Sequence, residues 1–272
     1  MGGQIIGLHD WFHTPPGRYL LAWEQAQCDQ AVADIFGYHA LQLGLPELAG
    51  LQANRMPHQW LAIGPDAPTG GEVPRAALVT DFAALPFPEN SLDLVLLPHT
   101  LELAPDPHAA LREVHRVLVP EGRIVVCCLN PGSLWGFKQR RARLWRRLGF
   151  GELYLPGSGE FIAYWRLRDW LRLLGFEVES SRFGCYRPAL RTDAWLERFA
   201  WMDAAGPRWW PILGAATVLV AVKKVHGMRL LSAPWRARKA IATAPVSVAN
   251  HMQKKPPALL AQGPVPPPDE PC

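Results

Sequence analysis

Residues 81–126 read DFAALPFPENSLDLVLLPHTLELAPDPHAALREVHRVLVPEGRIVV and contain the strongest structural pattern in the chain. A turn-rich loop leads into a nearly continuous apolar run at 92–97, which is typical of a strand covered on both faces. Asp106 is a helix N-cap and Pro107 suits the first helical position. The apolar residues of this helix lie at 110, 111, 114, 117 and 118. A second apolar run at 122–130 follows, so the segment predicts a right-handed βαβ unit and a parallel sheet.

Upstream of this unit, the sequence predicts a helix and then strands with short connections. The helix begins after Thr14, a capping residue followed by two prolines, and its apolar residues recur with helical spacing. Strands are predicted at 39–44, 58–63 and 75–82. Residues 45–57 barely suffice for a parallel crossover, and residues 64–75 hold three prolines and three glycines. We therefore expect the first half of the sheet to lack its usual connecting helices.

Downstream, the sequence predicts an amphipathic helix at 158–176, a strand from Phe176, and a last strand at 213–225. Residues 1–225 are expected to form one domain, with a basic, Trp-containing insertion at about 132–165 that would serve as a lid. Residues 226–272 are proline-rich and unpatterned, which predicts a mobile tail.

Composition excludes several classes of protein. With 272 residues, 49% apolar and 19% charged, the chain is long and apolar enough to fold around a sizeable core. Its five cysteines include no Cys-x-x-Cys pair, which argues against a disulfide framework and a zinc site, so no metal is predicted. No signal peptide pattern opens the chain, and the apolar run at 209–222 is too short to span a bilayer. A cytoplasmic protein is the expectation.

One segment concentrates positive charge. The net charge is only +4, yet residues 138–147 hold six basic side chains and no acid. These are Lys138, Arg140, Arg141, Arg143, Arg146 and Arg147. Such a run is most often the solvated face of a helix, but Trp135 and Trp145 beside it also suit nucleic-acid stacking or an anionic membrane surface.

Residues 81–126 resemble the middle of class I S-adenosylmethionine-dependent methyltransferases of the type 11 group. The shared features are an Asp-x-x-x-Leu-Pro-Phe loop, the Asp that opens the fourth strand, and Asp-Pro before a helix ending in Arg-Val-Leu. Residues 14–225 also resemble an uncharacterised bacterial subfamily, through FGYHALQLG and LNPGSLWG. The resemblance implies an α/β, Rossmann-like sheet of seven strands, with helices on both faces and the last strand antiparallel.

The resemblance implies S-adenosylmethionine as cofactor, held beyond the carboxyl ends of the strands. In the first loop only Gly44 remains of the family's Gly-x-Gly-x-Gly, because Leu45, Pro46, Glu47 and Leu48 follow it. These substitutions are expected to narrow or reshape the cleft. After the second strand, no acid stands directly at the strand end, and Asp66 is three residues on.

The remaining elements of the family's site are retained. Asp81 and Phe82 match the adenine-binding positions, and Pro98, His99 and Thr100 match the segment that lines cofactor and substrate. If the reaction requires a base, His99 is the predicted residue, and a hydrogen-bonded histidine at a strand end is the alternative.

Three functions follow from these patterns. The first is a methyltransferase acting on a small-molecule acceptor, since methyl transfer needs an aligned nucleophile more than acid–base groups. The second is a methyltransferase-like module that binds a ligand or partner without transferring a methyl group, which the altered glycine loop favours. The third is a nucleic-acid-binding protein, which rests on the basic segment alone.

Overall fold

The structure, a computed structural model, describes residues 10–65, 76–147, 154–155 and 161–224. Within these residues the strands are β1 His39–Leu43, β2 His58–Ile63, β3 Ala76–Val79, β4 Leu92–Pro98, β5 Leu118–Leu129, β6 Phe176–Gly184 and β7 Ala216–Lys223. The main helices are α1 Pro15–Val32, α2 Thr100–Leu103, α3 Pro107–Val117, α4 Leu134–Arg147, α5 Tyr164–Leu173, α6 Asp193–Arg198 and α7 Trp201–Trp209. A 3₁₀ turn covers Pro211–Leu213.

All seven strands join one sheet in the order β3-β2-β1-β4-β5-β7-β6. Strands β1 to β5 pair in parallel, whereas β7 runs antiparallel between β5 and β6. The predicted Rossmann-like α/β fold is therefore confirmed. Strand order reverses between β1 and β4, and ligands of such sheets bind outside the carboxyl ends at that point.

The capping signals in the sequence begin two of the predicted helices as expected. The Thr14 hydroxyl accepts a hydrogen bond from Gly17 N, and prolines occupy the first turn of α1. The Asp106 carboxylate accepts from His108 N and Ala109 N, each at 2.9 Å, at the start of α3. The helix predicted at 158–176 is shorter, since α5 begins at Tyr164.

Strand β5 begins earlier than the apolar run at 122–130 predicts. Leu118 pairs with Leu92, and the ladder resumes only at Arg123 opposite Leu94, so the intervening residues form a bulge. Glu121 takes a φ of 63° within it. The Pro-Glu-Gly segment that follows Leu118 and Val119 is thus built into the strand as a bulge.

Two apolar layers cover the faces of the sheet. Helices α3 and α5 pack on one face, through residues such as Leu111 and Leu171. Helix α1 covers the other face, together with the segment between β1 and β2. Cys127 belongs to the α1 layer and Cys128 to the opposite layer, as expected for neighbours in a strand.

The predicted insertion and tail are described only in part. Helix α4 occupies the first half of the insertion at 132–165, and Trp135 on its inner side is 1% exposed. The tail predicted at 226–272 lies outside the described residues, as does Asp66.

Candidate functional site

The carboxyl ends of β1 and β4 meet at Gly44 and Thr100. Gly44 takes a φ of 80°, and its amide donates to Ala62 O at 2.7 Å, at the end of neighbouring β2. The Thr100 hydroxyl donates to Leu43 O, and a Cβ added to Gly44 would lie 3.4 Å from that hydroxyl. The predicted residues Gly44 and Thr100 are therefore in contact across the strand-order reversal.

The Phe82 side chain covers the glycines that end β1 and β2. A Cβ on Gly44 would lie 3.8 Å from the edge of the Phe82 ring, and one on Gly64 would lie 3.7 Å from it. Asp81, beside Phe82, is exposed, and its Oδ1 accepts from Ala83 N at 2.9 Å. The structure thus places the Phe82 ring, the backbone of Gly44 and Gly64, and the exposed Asp81 carboxylate side by side.

The loop after β1 turns its leucines towards the protein interior. Leu45 continues the left-handed backbone with a φ of 42°, and Leu48 is 2% exposed within the α1 layer. The buried Gln42 side chain holds this loop. Its Nε2 donates to Leu45 O at 2.9 Å and Leu48 O at 2.8 Å, and its Oε1 accepts from Gly50 N at 3.2 Å. The Gln42 side chain of β1 therefore satisfies backbone groups of a loop that lacks the family's later glycines.

Directly beside Thr100, His99 is buried between two carboxylates. Its Nδ1 lies 2.8 Å from Glu102 Oε2, and its Nε2 lies 3.0 Å and 3.1 Å from the two oxygens of Glu24. The second Glu102 oxygen accepts from Leu129 N at 2.6 Å, at the end of β5. Glu24, His99 and Glu102, here the buried triad, tie α1 to the carboxyl ends of β4 and β5.

Charge in the triad follows from this geometry. Burial alone would lower the pKa of His99, but the neighbouring carboxylates of Glu24 and Glu102 outweigh it and raise the pKa to about 10. Burial raises the pKa of Glu102, against the opposing effect of its bond to His99. His99 is therefore an imidazolium at neutral pH.

The base role assigned to His99 stays a prediction. The imidazole is 1% exposed, and each ring nitrogen already lies against a carboxylate. To accept a proton from a substrate, His99 would have to leave at least one partner. Its φ of 54°, in the left-handed region, adds to the constraint. The contacts favour a positioning role, in which His99 orients the start of α2 and hence Thr100.

Sequence reasoning missed Glu24, Glu102 and Gln42. Glu24 carries a usable signal, because it interrupts the buried stripe of α1 formed by Leu20, Cys28 and Val32 at four-residue spacing. A carboxylate on an apolar stripe requires a buried partner. The identity of that partner depends on the packing of α1 against β4.

A separate open cleft lies between α1 and β6 and is lined by Gln27, Gln30, Arg123, Glu179 and Arg182, among others. None of the predicted site residues lines it, so we do not assign the cofactor to it. Among the described residues, no cluster of three or more His, Cys, Asp or Glu side chains is arranged to hold a metal ion. No helix in the same ranges is long and apolar enough to cross a membrane.

The chain matches known proteins along its sequence. A family model described as a methyltransferase domain matches residues 66–126. The uncharacterized protein YafS of Escherichia coli strain K12 is 30% identical over 181 residues, which cover 66% of this chain and 70% of YafS. A demethylmenaquinone methyltransferase of Anoxybacillus flavithermus is 31% identical over 116 residues. That match covers 37% of this chain and 49% of the relative, about half its length.

Solved structures share the fold. A structure of the Haloferax volcanii Trm112 methyltransferase activator in complex with a methyltransferase superposes with a TM-score of 0.54 and 18% identity, covering 83% of this chain and 99% of that one. A SAM-dependent methyltransferase from Thermotoga maritima gives a TM-score of 0.51 at 16% identity, covering 76% and 92%. Together with the family model and the YafS match, these findings show that the chain belongs to the class I S-adenosylmethionine-dependent methyltransferases of type 11.

Proposed function

We propose that the chain binds S-adenosylmethionine at the carboxyl ends of β1 and β4 and transfers its methyl group to a small-molecule acceptor. The observation that carries the proposal is the meeting of Gly44, Phe82 and Thr100 at the strand-order reversal, with Asp81 exposed beside them. Family membership supports the same cofactor.

The residues present fit the adenosine side of this cofactor. The absent side chains of Gly44 and Gly64 leave backbone beside which the flat ring of Phe82 packs. Asp81 Oδ2 is a hydrogen-bond acceptor suited to an exocyclic amine. When bound, the cofactor supplies a methyl group activated on a sulfonium. The chain's own part is to hold cofactor and acceptor in line.

The buried triad fits a supporting role in this proposal. It fixes the backbone from Pro98 to Thr100, which forms one wall of the proposed site. A proton-accepting role for His99 would add a bell-shaped or single-step pH dependence to turnover.

The acceptor is proposed only as a class. The names of two relatives refer to demethylmenaquinone and to malonyl-[acyl-carrier protein], which are chemically unlike each other. We therefore propose a small organic acceptor and leave its identity to a substrate screen. A cytoplasmic location remains a prediction from the sequence.

The leucine-containing loop favours a second function, a methyltransferase-like binding module. Counted from Gly44, Pro46 and Leu48 stand in place of glycines that elsewhere allow close backbone approach, and Gln42 holds the loop in one conformation. If this conformation excludes the methionine part of the cofactor, the fold would serve binding alone.

Calorimetric titration with S-adenosylmethionine and S-adenosylhomocysteine separates the two functions. We expect micromolar to tens-of-micromolar affinity, about −6 to −8 kcal/mol. Asp81→Ala should weaken binding by about tenfold or more, because a hydrogen bond to the ligand is lost. Asp169→Ala, which removes another exposed carboxylate on α5, is the matched control. Absence of heat up to millimolar ligand would reject the transferase proposal in favour of the module.

A further inference from the structure

Helix α4 presents an apolar face to solvent. Leu134 is 49% exposed, Phe137 66%, Leu144 58% and Trp145 54%. At 100° per residue these four side chains fall within an arc of about 100° on one side of the helix. Exposed Arg141 falls at about 340° on the same count and so lies inside this arc, between the apolar side chains. Exposed apolar side chains grouped on one face of a helix mark an interaction site.

The orientation of this face is fixed by contacts on the opposite side of α4. Trp135 Nε1 donates to Arg187 O at 2.8 Å. The buried Gln139 side chain donates to Leu155 O at 3.0 Å and accepts from Leu155 N at 2.9 Å. Trp135 and Gln139 lie about 100° and 140° around the helix from Leu134, so the apolar arc cannot turn inward without breaking them.

Positive charge surrounds the apolar arc. Helix α4 contains no acidic residue. Arg140 and Arg141 are exposed, and neither makes a hydrogen bond or ion pair with the other described residues. Burial lowers the pKa of the partly buried Lys138, and the positive charges of Arg191 and Arg141 lower it further. Arg146 and Arg147 belong to the same helix, but their side chains lie outside those that the structure describes.

We propose that α4 is a docking surface for an anionic membrane, lying in the interface with its apolar arc in the lipid and its arginines at the headgroups. Interfacial helices combine basic residues with Trp, Phe and Leu, and an arginine within the apolar arc, such as Arg141, can extend its guanidinium to the headgroups. A single-stranded nucleic acid would use the aromatic rings and arginines but would leave Leu134 and Leu144 exposed. The exposed leucines therefore favour lipid.

Docking would place the proposed methyl-transfer site near the bilayer. Helix α4 follows β5 by four residues and so begins at the carboxyl end of the sheet, where His99 and Thr100 also lie. If the proposed function holds, an acceptor dissolved in lipid would reach this end of the sheet. Docking itself does not require cofactor or turnover, so it is tested without either.

The test is sedimentation of the full chain with vesicles, in the absence of cofactor. We compare vesicles of phosphatidylcholine alone with vesicles of equal parts phosphatidylcholine and phosphatidylglycerol, at low and at high salt. The double variant Phe137→Ser, Trp145→Ser removes apolar contacts and keeps the positive charge. The double variant Arg140→Gln, Arg141→Gln removes two positive charges and keeps the apolar side chains. Leu173→Ser, on α5 and 85% exposed, is the matched apolar control. Circular dichroism verifies that each variant is folded.

We expect the wild-type chain to sediment with the anionic vesicles, and less so with phosphatidylcholine alone or at high salt. Each α4 double variant should reduce the partition coefficient by about tenfold, because both apolar burial and charge contribute. Leu173→Ser should bind like the wild type. Absence of vesicle binding would overturn the proposal. So would binding that survives loss of Phe137 and Trp145, and a stronger, salt-sensitive affinity for single-stranded RNA would assign the surface to nucleic acid instead.

Discussion

At the scale of single residues, the buried triad is the most demanding arrangement in the chain. Three ionisable side chains, Glu24, His99 and Glu102, are each at most 7% exposed. Burying charges is unfavourable unless they are paired and hydrogen-bonded. Glu102 meets this condition fully, whereas Glu24 Oε1 has no hydrogen bond of good geometry despite lying 3.0 Å from His99 Nε2. Glu24 therefore contacts His99 Nε2 through an ion pair at Oε1 and a hydrogen bond at Oε2, the latter at 3.1 Å.

The triad predicts a pH-dependent stability. The His99 pKa is raised from 6.5 to about 10, so the native chain binds more protons than the unfolded chain above pH 6.5. The stabilisation that protonated His99 gives the native chain is complete below that pH and is lost as the pH rises. The free energy of unfolding then falls with a slope of up to about 1.4 kcal/mol per pH unit. Urea denaturation from about pH 6.5 to about 8.5, below the ordinary cysteine range, measures this slope.

Variants at two histidines assign the slope to its residue. His99→Asn removes the titrating group and tolerates the left-handed backbone, so its stability should be flatter across this pH window. His58→Asn, at an exposed position on β2, should keep the wild-type slope. Equal slopes in the wild type and His99→Asn would show that the native His99 is not protonated.

At the scale of elements, the loop after β1 depends on Gln42. Backbone carbonyls inside a folded loop require donors, and here one carboxamide serves two of them at 2.9 Å or less while also accepting from Gly50 N. The short loop replaces a crossover helix, whose internal hydrogen bonds would otherwise satisfy these groups.

Gln42→Leu should lower the free energy of unfolding by about 2 kcal/mol, because it leaves buried loop groups without partners. Cofactor affinity should fall in the same variant if the loop forms the site. Gln59→Leu is the control, since Gln59 also donates to two carbonyls, those of Asn54 and Met56, from an exposed position. If Gln42→Leu and Gln59→Leu lose equal stability in urea denaturation, the special role of Gln42 is contradicted.

At the scale of the whole molecule, Lys223 joins the last strand to the middle of the fold. It ends β7, is 5% exposed, and donates to Asn90 Oδ1 at 3.0 Å, His115 O at 2.8 Å and Leu118 O at 2.7 Å. These acceptors belong to the turn before β4, the last turn of α3 and the start of β5. A cation is favourable at a helix C-terminus, and three carbonyl-type acceptors satisfy its donors.

Lys223→Met should therefore reduce the free energy of unfolding by about 2 kcal/mol or more, since a charged donor to buried acceptors is lost. Lys224→Met provides the neighbouring control, because Lys224 pairs with Glu121 on the surface and should change stability little. Tryptophan fluorescence during urea denaturation reports both variants. A larger loss at Lys224 than at Lys223 would contradict the assigned role.

Much of the fold was predictable because its signals are local. Apolar runs predicted the strands of the central unit, and Thr14 and Asp106 predicted two helix starts. The predicted start of β5 was wrong, because the bulge after Leu118 is set by pairing with Leu92 and produces no periodic pattern in the sequence.

The sequence by itself determined the order of elements, the family, and the residue types at the ends of β1 and β4. Hydrophobic periodicity and capping are encoded within a few neighbouring residues, so they can be found without a partner. Only the tertiary structure decided what Glu24, His99 and Gln42 do, because each bonds to groups that the sheet and α1 bring together from distant positions. It also decided which face of α4 is exposed, since Trp135 and Gln139 select that face through contacts up to 52 residues away.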